Sequence, residues 1–416
     1  MFHLIHFQLP FIVVLLIVLV GAKVLGELME RIGQPSMIGE VLAGVILGPS
    51  LLNIIQNTYE LKVIADLGVF LLIVIAGMEI EVEEITKSIR GKNAWIAILG
   101  FIIPFVSGFA IGKLFHSNST FAIILGLCIA ITALPVSIRI LMDIGKLQSA
   151  VGQRIISAAI FNDVLSLLVL GVILDFNDES KRLQDIAVST SITIVKVCVF
   201  IGFLMIAYRL IKYIKVQMGV INPKVISVLR ILRGKQSLFA LVIVYVLAFA
   251  SISEAMGLHF IIGAFFGAIL FPRSIFTEGN FDKVKESTSG VTMGFLAPVF
   301  FATMGVSFNV TSLSNFPLLL VVLAASFISK IFGGYLGSRM AGFDRTNSLT
   351  LGFGLNARGI MELVIASIAL QRGFIDVAIF SILVIMALLT TISTPFLLKW
   401  GFSRVERKNM APEKSF

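Results

Sequence analysis

LGFGLNARGIMELV, residues 351–364, is apolar enough for a bilayer, yet it carries glycines at 352, 354 and 359 and a charged pair, Arg358 and Glu362. A second stretch, ITALPVSIRIL (131–141), interrupts its apolar run with Pro135, which removes a backbone donor and disfavours helix at the preceding residue. Non-helical backbone at membrane depth survives only where it lines a cavity or is buried in protein. What the two interruptions mean depends on where they fall in the order of spans.

The composition demands many spans. Of 416 residues 57% are hydrophobic and only 14% charged, with a mean hydropathy of +1.01. No soluble domain hides that much apolar surface, so the fold class is an all-α polytopic membrane protein. Scanning for apolar runs of about 17 to 25 residues predicts about thirteen transmembrane helices: 9–26, 35–52, 62–78, 93–115, 120–142, 152–175, 187–214, 237–256, 258–272, 288–306, 314–340, 347–371 and 374–398. The opening MFHLIHFQLP (1–10) lacks a basic n-region, so the first run is expected to be retained.

Six spans, a linker and six more place two halves in opposite orientations, as in inverted-repeat transporters. The expected organisation is a transmembrane domain over 1–400 (repeat one 9–175, linker helix 187–214, repeat two 237–398), followed by a short cytoplasmic tail, 401–416. Spans five and twelve then correspond, and these are the two interrupted ones. Matching breaks in two repeats are the strongest sequence pointer to a transport site.

The net charge of +9 lies mostly in short connections between apolar runs, which argues against nucleic acid as a partner. Residues such as Lys87, Arg90, Lys92, Arg230, Arg233, Lys283, Lys285, Arg404 and Arg407 fall on one side of the bilayer. The positive-inside rule makes that side cytoplasmic, with the N-terminus outside and the C-terminus inside the cell (inner or plasma) membrane. Cys128 and Cys198 both sit within apolar runs and define neither disulfide framework nor metal spacing. No phosphate-binding glycine loop, metal cluster or Ser-His-Asp set is present, so neither a cofactor nor an enzyme is expected.

The intramembrane polar residues carry the functional reading. VGQRIISAAIFNDVLSLLVLGV (151–172) places Asn162 and Asp163 in the middle of a span. A carboxylate there must find a counter-ion or take a proton. If a metal cation (Na+ or K+) and a proton compete for it, each expels the other. Should the bare anion be barred from changing sides by its desolvation cost, exchange becomes obligatory. Asn162 is neutral and is expected to offer a cation-ligating oxygen or to cap a helix break. Thr132 and Ser137 flank Pro135, and their hydroxyls with freed carbonyls suit a small hard cation. Lys330, about ten residues from either end of its span, is expected to pair with a carboxylate or to titrate. Arg358 and Glu362, four apart, are expected on one face of the helix that follows the break at Gly359 in span twelve and read as an internal strut or a gating pair. Lys196 on the linker reads as snorkelling or facing a subunit interface. Glu40, Asp66, Glu79, Glu254 and His259 fall near span ends and read as interfacial groups.

Four ordered stretches, RIGQPSMIGEVLAGVILGPSLL (31–52), GLHFIIGAFFGAILFP (257–272), APVFFATMGVSFNV (297–310) and LNARGIMELV (355–364), resemble signatures of the monovalent cation:proton antiporter-2 family. That family includes the membrane part of Kef-type potassium efflux proteins and the spore-germination Na+/H+-K+ antiporters. The resemblance implies the Na+/H+ antiporter fold and a homodimer, with a six-helix core moving like an elevator against a dimerisation domain. Spans five and twelve would cross within that core. The family's acidic ion-binding position falls on Asp163 and its basic position on Lys330. Electrogenic relatives carry two adjacent aspartates; Asn162 at the first position implies one proton per cation, unless Lys330 carries a second. The gating domain of Kef-type proteins is not matched, so control by nucleotide or glutathione within these residues is not expected.

The expected function is therefore secondary active exchange of a monovalent cation for H+ at Asp163. The alternative is a cation-coupled symporter of an organic anion on the same plan, which needs further cationic groups beside the breaks. An intramembrane aspartyl protease would need a second mid-span Asp, and a sensory receptor would need a signalling domain.

Overall fold

The computed structural model describes residues 10–83, 91–115, 118–174, 195–196, 199–213, 235–271, 280–310 and 316–410, and every regular element among them is helical. Repeat one holds α1 (Phe11–Arg31), α2 (Ser36–Leu47), α3 (Tyr59–Glu79), α4 (Ala94–Phe115), α5 (Ser119–Ala130), α6 (Leu134–Asp143) and α7 (Ala150–Leu174). After α8 (199–213) come α9 (Lys235–Ala255), α10 (Phe260–Leu270), α11 (Asn280–Val291), α12 (Ala297–Ser307), α13 (Phe316–Met340), α14 (Arg345–Gly354), α15 (Ile360–Gln371) and α16 (Val377–Met410). A π-helical turn, Thr292–Leu296, joins α11 to α12.

Helix starts are written in the sequence. The side chains of Thr58, Asn118 and Asp344 accept the N–H groups of Leu61, Thr120 and Thr346 and so cap α3, α5 and α14. Beyond the caps most helices are apolar all round, as buried or lipid-facing helices are.

Nine helical stretches among the described residues are long and apolar enough to span a membrane, the α5–α6 pair counted as one; α2, α10 and α15 are shorter apolar helices. Of the thirteen expected spans, the linker 187–214 lies largely outside the described residues, and the second, ninth and twelfth correspond to these shorter helices. With 12 residues, α2 covers only about 18 Å, less than a hydrocarbon core of about 30 Å. The cause lies in residues 48–53, GPSLLN: they remain apolar, but Gly48 is extended and Asn53 has φ 50°, so the chain has left the helix. Hydropathy counts such residues without knowing their conformation. The expected linker 187–214 is described only at 195–196 and 199–213, and Cys198, Lys87, Arg90, Arg230 and Arg233 lie outside the described residues. Residues 401–410 of the expected tail continue α16 as helix, while 411–416 lie outside.

The helices sort into two packed groups. α1, α2, α3, α9, α10, α11 and α12 pack on one another, and α4, α5, α6, α7, α13, α14, α15 and α16 form the second group. Within the first group α2 and α12 touch almost backbone to backbone: a Cβ on Gly44 would stand 2.8 Å from the Cα of Gly305. The groups meet where α3 faces α15 and α10 faces α7.

Candidate functional site

The chain breaks of spans five and twelve cross each other in the second group. α5 ends at Ala130, Ile131 is extended (φ −62°, ψ 149°), and α6 restarts at Leu134 with Pro135 in its first turn, where a missing N–H costs nothing. α14 ends at Gly354 and α15 restarts at Ile360. At the crossing the Ala133 N–H donates to the Ala357 carbonyl at 2.9 Å, and the Thr132 hydroxyl donates to the Leu355 carbonyl at 3.1 Å. Gly359 sits on the second break at this point: a Cβ there would come within 2.6 Å of the Ala133 Cβ. Its backbone is extended (φ −177°), so closeness and not conformation calls for glycine.

A helix leaves its last four carbonyls without intrahelical partners and concentrates negative partial charge there. In α5 those positions are covered by cations. The Arg358 guanidinium donates to the carbonyls of Cys128 (2.8 Å), Ile129 (2.5 Å) and Ile131 (2.6 Å). The Lys330 ammonium donates to Ala130, and to Gly100 on α4 at 3.0 Å. Both side chains are fully buried. Lys330 thus differs from the expectation of a carboxylate partner: its donors go to backbone oxygens, and the charge of Asp163 reaches it only through space. Glu362, also fully buried, stands 3.8 Å from the Arg358 Nε; Arg358 lies within the break, before α15 begins, so the two do not share a helix face as the sequence suggested.

The opposite end of the break, the start of α6, presents free N–H groups and positive partial charge. Asp163 of α7 faces it, and Asp163 and Leu134 line the same cavity. Asp163 is 2% exposed, and its Oδ1 has no hydrogen-bond partner among the described residues. Beside it Asn162 donates through Nδ2 to the Thr132 hydroxyl at 3.1 Å, while its Oδ1 is likewise unpartnered. Buried polar atoms are nearly always paired, so two free oxygens on adjacent residues mark a place for an exchangeable partner. Asp163 also lines a cavity of about 40 Å³ together with Ala133, Leu134 and Pro135 of the first break, Ile360 and Met361 of α15, Leu72, Ile75, Ala76 and Glu79 of α3, and Met293 of the π-turn. That volume holds an ion with a water or so.

Of the residues singled out from sequence, the crossing brings together Asp163, Asn162, Thr132, Pro135 and Gly359, with Lys330, Arg358 and Glu362 at the C-terminal end of α5. Sequence reasoning missed three others. Glu79 read as an interfacial group, yet it lines the cavity with its Oε2 buried and without a hydrogen bond. Asn356 is fully buried within the second break, and neither end of its amide has a partner among the described residues; its neighbourhood, LNARG, was the only signal. Met293 was one apolar residue among many. Asp66, by contrast, accepts from Gln371 at 3.1 Å, and His259 caps α10, as groups near helix ends do.

Known proteins share this architecture. The family model described as sodium/hydrogen exchanger, transmembrane, matches residues 12–401. The Na(+)/H(+)-K(+) antiporter GerN of Bacillus cereus is 29% identical over 394 residues, covering 94% of this chain and 96% of GerN. The Na(+)/H(+) antiporter of Enterococcus hirae is 26% identical, with 95% and 99% covered. Among solved structures, the sodium proton antiporter MjNhaP1 from Methanocaldococcus jannaschii superposes with a TM-score of 0.69 at 16% identity over 94% of this chain and 97% of that one. A match over nearly the whole chain to one family leaves a single assignment: the protein belongs to the transmembrane sodium/hydrogen exchanger family, and it is a multi-pass transporter and not an enzyme.

Proposed function

We propose that this antiporter exchanges Na+ or K+ for H+, one for one, by competition at Asp163. The observation that carries this is a carboxylate almost wholly out of solvent, with one oxygen free, at the edge of a cavity sized for an ion. Ionised and empty, it would bear an unpaired charge in apolar surroundings, which costs several kcal/mol. A proton or a metal cation removes that cost, so the loaded forms are the ones able to change sides. Asn162 contributes an oxygen without charge, and Thr132 holds its amide in place. Lys330 acts as a fixed positive charge on the end of α5, its protons engaged by carbonyls. Each turnover then moves one positive charge each way.

The wider frame belongs to the same proposal: a domain over 1–400 built from repeats 9–175 and 237–398 about a linker at 187–214, N-terminus outside, and a homodimer in which one helix group moves against the other. The two packed groups support it. On that topology the Glu79 end of α3 is cytoplasmic, and the cavity serves the cytoplasmic side. The organic-anion symporter finds no support, because Arg358 is spent on three carbonyls and the cavity is too small.

The test is proton movement in everted vesicles, read by dequenching of a pH dye on adding Na+, K+ or Li+. Asp163→Ala should abolish the response to every ion, with protein abundance unchanged; retained exchange would sink the mechanism. In proteoliposomes an imposed membrane potential should leave the rate unaltered, and acceleration would contradict the one-for-one balance.

A further inference from the structure

A buried hydroxyl on a helix ordinarily satisfies itself by donating to a backbone carbonyl, most often three or four residues back. Among the described residues the buried Ser and Thr side chains do so throughout the molecule: Thr288, Thr303, Ser329, Ser338, Thr350, Ser381 and Thr390 are examples, and Thr132 and Thr391 reach carbonyls across the breaks. Two do not. Ser137 on α6 and Ser166 on α7 are fully buried, and neither Oγ has a hydrogen-bond partner. Both lie on the two helices that hold the Asp163 carboxylate.

Their places are related. α6 and α7 are joined by residues 144–149 and pack together, so they run as an antiparallel hairpin. Ser137 stands three residues beyond Leu134, toward the connecting turn. Ser166 stands three residues beyond Asp163, away from it. Residues three apart share a helix face, and three residues advance about 4.5 Å along the axis. Leu134 and Asp163 line the same cavity, so the two serines stand about one helical turn to either side of it along the helix axes.

We propose that Ser137 and Ser166 are further oxygen ligands for the transported cation, each serving one side of the membrane: Ser137 on the side of the α6–α7 turn and Ser166 on the opposite side. A single carboxylate cannot replace the hydration shell of Na+ or K+, and additional oxygens must take over as water is shed. A neutral hydroxyl suits a transient station, since it holds the ion less strongly than the carboxylate and releases it. This deepens the proposed competition at Asp163 and rests on it.

The experiment compares Ser137→Ala and Ser166→Ala in everted and right-side-out vesicles, measuring KM for Na+ and for K+ at each face. Loss of one ligand to a charged species predicts a rise in KM of about tenfold, at one face for Ser137→Ala and at the other for Ser166→Ala, with Ser→Thr at either position restoring the original value. Unchanged KM at both faces, or an equal fall in rate at both faces without a change in KM, overturns the proposal. Asp163→Asn is run in the same vesicles. Exchange surviving in that variant overturns the competition itself, whereas exchange lost there with unaltered KM in the serine variants overturns only the serine stations.

Discussion

The two breaks do the same thing to the backbone and are repaired in opposite ways. At the first, the carbonyls of residues 128–131 are taken by the cations Arg358, delivered from the second break, and Lys330, delivered from α13. At the second, the carbonyls of Leu355, Ala357 and Arg358 are taken by neutral donors: the Thr132 hydroxyl, the Ala133 N–H and the Thr391 hydroxyl. Charge is therefore concentrated on one break. Two cations lie against the C-terminal end of α5 and one carboxylate against the N-terminal end of α6, each on the side where the helix dipole favours it. The second break carries Arg358 but spends it across the crossing, so it supports the site and the first break forms it.

If that division is right, removing a charged cap should hurt most. Arg358→Ala would leave three carbonyls unpaired and Glu362 without its nearest cation, at a cost of about 3–5 kcal/mol. The expected outcome is poor accumulation in the membrane and a strongly lowered midpoint of thermal unfolding in detergent. Arg358→Lys should recover little, because an ammonium is a point charge and cannot span three carbonyls as a planar fork does. A variant with near-native unfolding would mean that the carbonyls at the end of α5 need no cation.

Lys330→Met comes next. It leaves the Ala130 and Gly100 carbonyls unsatisfied, each worth about 1–3 kcal/mol, while Arg358 still covers the rest of the α5 terminus. The midpoint should fall by less than in Arg358→Ala, and exchange should slow, since Asp163 loses the positive charge acting on it. Equal damage from the two substitutions would erase the distinction between a principal and an auxiliary cap.

Much of this could be read from the chain before any coordinates, and the exceptions have a common cause. Pro135 and the glycines of 352–359 announce breaks because backbone chemistry is local, and Asp163 announces a site because an apolar span makes a lone carboxylate costly. The order of spans then pairs the breaks. What could not be read is who satisfies whom. Lys330 and Arg358 were conspicuous as charges, but their partners are carbonyls some 200 positions away in the chain, and a carbonyl has no letter of its own in a sequence. For the same reason Ser137 and Ser166 look like any other hydroxyls until every buried partner is accounted for. Glu79 sits at a helix end, where carboxylates are common, and only the packing of α3 against the crossing makes it part of the cavity wall.

The gentlest test acts on the second break. Thr391→Val keeps the shape of the side chain and removes the donor to the Arg358 carbonyl, 3.0 Å away, which predicts a loss of about 1–2 kcal/mol. Gly359→Ala, by comparison, forces a Cβ into the crossing at 2.6 Å from Ala133 and should cost about 1–3 kcal/mol by overpacking. The two act differently on transport. The alanine pushes the breaks apart and so moves Leu134, which lines the cavity with Asp163, and exchange should slow together with the fall in stability. The valine leaves the first break where it is, so the unfolding midpoint should drop slightly while the KM for Na+ and K+ stays at its original value. A changed KM in Thr391→Val would show that the second break reaches the ion directly, and the division between a forming and a supporting break would not hold.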